Sequence, residues 1–216
     1  MENKRMLILL KEHKKRDDAV FRFFKEISEE THCVVAKDSN GNDLISARVQ
    51  MIIAFSLIDV LANYWYEYRD CSGQTNERAK SWYSTYCATD KNEYYKELWQ
   101  ELSCNNLYKL RNSLIHFFGL GERCEDTYIC LCQNNLPEDK RQKWQKDFLA
   151  KGRKTFIIRP RDFSNMVREG AILMLKEWTG IVRNAQTDEK TKQEHIEGIN
   201  RIWKKINKEG AVRVDN

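Results

Sequence analysis

Between positions 44 and 64 the apolar residues Leu44, Ile45, Val49, Ile52, Ile53, Leu57, Val60, Leu61 and Tyr64 return at helical spacing. The apolar surface covers much of the helix circumference, which predicts a central element packed on several sides. Little else in the chain opposes helices, since 216 residues hold only 2 Pro and 9 Gly. Abundant Lys, Glu, Leu and Arg favour long helices over a sandwich or barrel. The length suits one domain, residues 1–216, and 6 Trp can help to fill its core. The expected fold class is mainly α.

Other elements follow from periodicity and punctuation. Val20, Phe21, Phe24 and Ile27 predict an amphipathic helix over 17–30. Gly41-Asn42-Asp43 supplies a turn and cap before the central helix, and Cys71-Ser72-Gly73 ends it. One or two helices reach about Ser103, and another runs from near Asn105 to a glycine stop at Phe118-Gly119-Leu120-Gly121. The texture then changes. Residues 124–160 read as a small insertion containing a β-hairpin, with Thr127–Cys132 and Thr155–Ile158 as two paired strands around a short helix from Pro137. Asp162 caps a helix to about Asn184, and Thr187-Asp188 caps a last one ending at Gly210.

Several function classes are set aside. No stretch approaches the roughly 18–20 apolar residues of a membrane span. The run Met6 to Leu10 is shorter than a signal-peptide core of about 7–15 residues, so the expected location is the cytoplasm, with no membrane partner. Seven Cys, an odd number, argue against a disulfide framework. Cys124, Cys130 and Cys132 cluster without a C-x-x-C pair or a nearby His, and read as reduced thiols with no metal. P-loop, dinucleotide, zincin and nucleophile-elbow patterns are absent, and no cofactor is expected. His13, His32 and His195 read as surface residues.

Charge is unevenly spread. The chain carries a formal +5, whereas residues 140–161 hold nine Lys or Arg against Asp147 alone, a net +8. Trp144, Phe148 and Phe156 interleave with them. Lys140, Arg141, Lys143, Lys146, Arg153 and Lys154 are therefore candidate RNA contacts, with counterion release and base stacking as the driving terms. The other reading is a solvated helix whose rings face inward.

The chemistry sits on the helix that begins near Asn105. At about 100° per residue, Leu107, Leu110, Leu114, Phe117 and Phe118 fall in one arc, the core stripe. Arg111 lies on its shoulder, while Asn112 and His116, four apart, lie on the far side. Tyr108 and Ile115 form a second apolar shoulder, which suits a partner helix, including one from a second copy. An imidazole can shuttle protons, a guanidinium can grip a phosphate, and an amide can orient a phosphate oxygen or hydroxyl. Together they suit attack by a ribose 2′-OH on the adjacent phosphorus. Arg111 and His116 are about 140° apart on the helix, so a twofold pairing would bring two sets into one cleft.

The R-N-x-x-x-H of Arg111, Asn112 and His116 resembles the R-x(4–6)-H signature of HEPN proteins, where Asn often follows Arg. The likeness covers six residues and a helical setting. It implies an antiparallel helical bundle, a homodimer with the motif at its interface, and metal-independent RNA cleavage leaving a cyclic phosphate. Many such relatives act as toxins or in antiviral defence, which implies an antitoxin or other regulatory protein as a further partner. Relatives that carry a modifiable Tyr two residues after the His differ from this chain, which has Phe118 there. Asp59, with Ser56 one turn before it, resembles the polar residue that an earlier helix supplies near the motif; it could hold Arg111 or set the His116 tautomer. An interior Asp with a structural role is the equal alternative. Two readings stand beside the nuclease: a non-catalytic RNA- or nucleotide-binding module, and a helical interaction protein such as an antitoxin or scaffold.

Overall fold

A computed structural model describes residues 14–27, 39, 45–88, 93–102, 104–117, 123–124, 127–184 and 186–208. Its helices are α1 (14–27), α2 (Ala47–Tyr68), α3 (Thr75–Tyr86), α4 (Glu93–Glu101), α5 (Cys104–Phe117), α6 (Glu138–Ala150), α7 (Pro160–Arg183) and α8 (Glu189–Lys208). Three short strands, β1 (Arg123–Cys124), β2 (Thr127–Leu131) and β3 (Thr155–Ile158), form one sheet in the order β1-β2-β3. The chain is mainly helical, as its periodicity predicts.

The long apolar pattern is α2, and it is central. It packs against α3, α5, α7 and α8, burying Met51, Phe55, Leu57, Ile58, Leu61 and Trp65 on different sides. Burial on that scale contributes roughly 1.5–3 kcal/mol per large side chain, which is why α2 organises the rest. By length and composition α2 could also cross a membrane, contrary to the expectation that no stretch is apolar enough, yet more than half of it is buried within the fold. It starts later than the pattern suggests. Ser46 is the N-cap, accepting from the Val49 amide at 3.4 Å, so Ile45 precedes the helix. The expected turn at 41–43 lies outside the described residues, as do the glycine stop at 118–121 and the end at Gly210.

The C-terminus of α2 closes before Gly73. Asp70 takes the left-handed conformation (φ 55°) while its amide bonds Glu67 O at 3.2 Å and the Cys71 amide bonds Tyr66 O at 3.0 Å. That is the Schellman pattern, with Asp where Gly is commoner. It turns the chain into α3, which returns along α2.

Two glycines allow helices to touch. A Cβ at Gly198 on α8 would lie 2.6 Å from the Tyr68 ring and 2.8 Å from its carbonyl oxygen. One at Gly170 on α7 would lie 3.1 Å from Tyr86 O on α3. Tyr68 itself stacks on buried Trp178, with centroids 4.5 Å apart, and its hydroxyl meets His195 Nδ1 at 2.9 Å. His195 is therefore a buried residue (2% exposed), not a surface one. Its position on α8, three before Gly198, turns it toward Tyr68.

The 124–160 segment contributes to the core through Ile129, Phe156 and Ile158. Its antiparallel hairpin is β1–β2, at one edge of the sheet. The two strands flanking the basic helix do pair, but in parallel, Tyr128 opposite Thr155 through Leu131 opposite Ile158. A helix of 13 residues lies between them, and a crossover of that kind is what parallel strands require. Beyond β2, Asn134 ties three regions together. Its Nδ2 donates to Gln50 Oε1 of α2 (2.8 Å), and its Oδ1 accepts from the Arg161 amide of α7 (2.8 Å).

Candidate functional site

Burial of Leu107, Leu110 and Leu114 sets the rotation of α5 against α2 and α3. That rotation leaves Arg111 on the rim of the packed stripe, facing the flank of α2 where Asp59 interrupts the apolar surface. Arg111 Nη2 donates to Asp59 Oδ2 at 2.7 Å and Nε donates to the same oxygen at 3.2 Å. Nη1 donates to Asn112 Oδ1 at 3.1 Å, and the guanidinium carbon lies 5.4 Å from the Tyr108 ring centre. Both charged side chains are 20% exposed. A guanidinium has five N–H groups; three are engaged by these contacts and the other two meet no partner among the described residues.

The structure thus brings Asp59, Arg111 and Asn112 together. His116 belongs to α5, one turn beyond Asn112, but its side chain lies outside the described residues, as do those of Ile115 and Phe117. Ser56 is exposed and spends its hydroxyl on Ile52 O of its own helix at 2.9 Å, the usual back-bond of a helical serine.

A cleft of about 450 Å³ opens beside Asp59, lined by Asp59, Val60 and Asn63 of α2 and by Thr75 and Arg78 of α3. Arg78 donates through Nη1 to Asn63 Oδ1 at 2.6 Å and through Nε to Gly73 O at 2.7 Å. Asn63 Oδ1 also accepts from Lys205 Nζ of α8 at 3.2 Å, and Lys205 pairs with Glu67 at 3.0 Å. Sequence reasoning missed Asn63, Arg78 and Lys205. The one available signal was Asn63, a second polar residue one turn after Asp59 on an apolar helix.

No family model, no curated protein and no solved structure matches this chain. Its site is read from geometry and chemistry.

The basic stretch divides in two. Lys140, Lys143, Lys146 and Arg153 are exposed, with Trp144 46% exposed among them. Arg141 is not available to RNA, being 1% exposed. It lies on the inward stripe of α6, where Nη2 meets Glu138 at 2.7 Å and Glu97 of α4 at 3.2 Å. Nη1 donates to Gln145 Oε1 and to Ile157 O, the guanidinium lying 5.8 Å from the centre of the Phe156 ring. Arg141 holds the Glu138 carboxyl below its usual range through that hydrogen bond. Lys154 is exposed but pairs with Glu101 at 3.0 Å. Phe156 is core and Phe148 half-buried, which leaves Trp144 as the exposed ring of the three.

Among the described residues no three His, Cys, Asp or Glu side chains converge. Burial raises the Cys130 thiol and pushes that of Cys132 up to about 11. Cys87 is raised well above the ordinary thiol range by the same cause. These thiols are poor nucleophiles at neutral pH.

Proposed function

We propose that this chain is a metal-independent endoribonuclease that acts by 2′-OH attack. The observation that carries the reading is Arg111: its guanidinium is steadied by Asp59 and Asn112 while two N–H groups and a fifth of its surface stay available. A charge held in place before the substrate arrives needs no reorganisation when the phosphate gains negative charge.

In this mechanism the phosphodiester sits against those two N–H groups. His116 accepts the proton of the 2′-OH as the O2′–P bond forms. The P–O5′ bond breaks, and the departing 5′-oxygen takes a proton from a protonated imidazole. The products are a 2′,3′-cyclic phosphate and a 5′-OH end. The 140° between Arg111 and His116 favours a twofold pair of chains, in which the His116 of one copy works with the Arg111 of the other.

The same ion pair also favours a second reading, a non-catalytic RNA-binding module, because a guanidinium already shared with Asp59 lends less charge to a transition state. Incubation of single-stranded RNA with the protein and a chelator separates the two. The nuclease reading expects cyclic-phosphate ends from the wild type, and loss of about 10²–10³ in rate for Arg111→Ala and for His116→Ala with the fold retained in both. Wild-type rates in both variants would remove it. Binding without any cleavage by wild type would leave the module.

A further inference from the structure

Arg78 lines the cleft between α2 and α3, and its Nη1 shares Asn63 Oδ1 with Nζ of Lys205, which reaches the same oxygen from α8 outside the cleft lining. Lys205 is paired with the Glu67 carboxylate at 3.0 Å. Arg78 is half-buried and makes no ion pair among the described residues. Two positive groups held this close repel, and an anion between them and the open cleft relieves that repulsion. Among the described residues the carboxylate lining the cleft is that of Asp59, and its charge is offset by Arg111. Val60 and the Thr75 hydroxyl complete a wall of about the right character for a sugar-phosphate.

Position gives the anion its identity. Asp59 and Asn63 are four residues apart on α2, about 6 Å along the axis, so the cleft runs from the Arg111 pair toward Arg78. We propose that this cleft is a phosphate subsite for single-stranded RNA, in which Arg78 holds the phosphate of a nucleotide adjacent to the one at Arg111. The inference rests on the RNA-cleaving reading and extends it: the substrate is a strand of several nucleotides, held by at least two arginines from different helices. The charge-assisted fork that Arg78 presents suits a phosphate oxygen better than a base edge.

The test is the affinity of a short fluorescein-labelled RNA with 2′-O-methyl sugars, which binds but cannot be cut by 2′-OH attack. Fluorescence anisotropy is followed over a salt series for wild type, Arg78→Gln and Thr75→Trp. Arg78→Gln should weaken binding about tenfold and lower the slope of log affinity against log salt by about 0.7, the share of one phosphate contact. Thr75→Trp keeps every charge but fills the cleft from an exposed position, so it should push the phosphate off Arg78, weakening binding and lowering the slope as Arg78→Gln does. It also answers should Arg78→Gln fail to fold. Wild-type affinity in Thr75→Trp, together with an unchanged slope in a folded Arg78→Gln, overturns the subsite. Failure of the nuclease reading is read separately, as unmodified RNA left intact by a wild type that binds it; absence of binding by wild type overturns both.

Discussion

Replacing Arg141 by Met removes the one basic side chain of the 140–161 stretch that is fully buried. Its guanidinium reaches Glu138 (2.7 Å), Glu97 (3.2 Å), Gln145 and Ile157 O, joining α6 to α4 and to β3. Hydrogen bonds to charged groups are worth about 1.5–3 kcal/mol each when desolvated. Glu97 and Glu138, however, are 39% and 40% exposed, so after the substitution both return to water and their share is heavily discounted. Methionine keeps most of the stem packing. The net loss comes to about 2 kcal/mol, and at about 2–4 °C per kcal/mol for a chain of this size the melting temperature falls by about 4–8 °C. Arg141→Lys should lose nearly as much, because an ammonium cannot reproduce the planar fork. Circular dichroism melts measure the effect. The gap from wild type also has a pH signature: Glu138, held low by Arg141, contributes stability that is present above its ordinary value of 4.5 and is lost as pH falls through its lower folded value. The gap should be full at neutral pH and narrow below about pH 4. In RNA binding the salt slope of Arg141→Met should match wild type, while Lys143→Gln with Lys146→Gln flattens it if the exposed face grips RNA. A melting temperature within about 1 °C of wild type, or a slope change equal to that of the lysine pair, would refute the structural role of Arg141.

Three further outcomes follow from other contacts. The Asp59–Arg111 pair, intermediate between an exposed and a buried one, should show a coupling of about 1–2 kcal/mol in a double-mutant cycle with alanines by denaturant unfolding; less than about 0.3 kcal/mol would mean that the two do not hold each other. Gly198→Ala drives a methyl into Tyr68 ring and backbone atoms, so even with the better helix propensity of alanine it should cost about 1–3 kcal/mol, and an unchanged or raised melting temperature would contradict the α2–α8 contact. Iodoacetamide at neutral pH should label exposed Cys71 readily and leave Cys87 and Cys132 intact in the folded chain, with Cys132 becoming reactive only as pH approaches its raised value near 11; equal labelling of all three, read by mass spectrometry, would show that the thiols are not shielded as described.

Much of the fold was legible along the chain because helices are local. The core stripe of α5 followed from 100° spacing, and Leu107, Leu110 and Leu114 are buried. Asp188 before α8 is punctuation of the same local kind, whereas α7 begins earlier than the expected Asp162 cap: Arg159 is its N-cap, Pro160 fits its first turn without needing an amide, and Asp162 lies inside that turn. The misreadings fall where a polar residue is buried by something distant. Arg141 is covered through Glu97, 44 positions earlier, and His195 through Tyr68, 127 positions earlier. Neither neighbourhood is visible in the flanking residues, so a basic run looked uniformly solvated and a lone histidine looked exposed. The parallel pairing of β2 and β3 was implicit in the helix between them, since only a crossover can return a strand in the same direction.

The sequence by itself determined the helices, the order in which they come and the face of α5 that carries Arg111 and Asn112, because hydrogen bonds within a helix and the apolar period are set by neighbours three or four residues apart. Only the tertiary structure decided that Asp59 holds Arg111 from 52 residues away, and that Arg78 and Lys205 share the oxygen of Asn63 beside them. Those meetings depend on how α3, α5 and α8 rotate and approach against α2. That is set by interlocking side chains across helices, through contacts such as Gly198 on Tyr68, and no stretch of the chain encodes it alone.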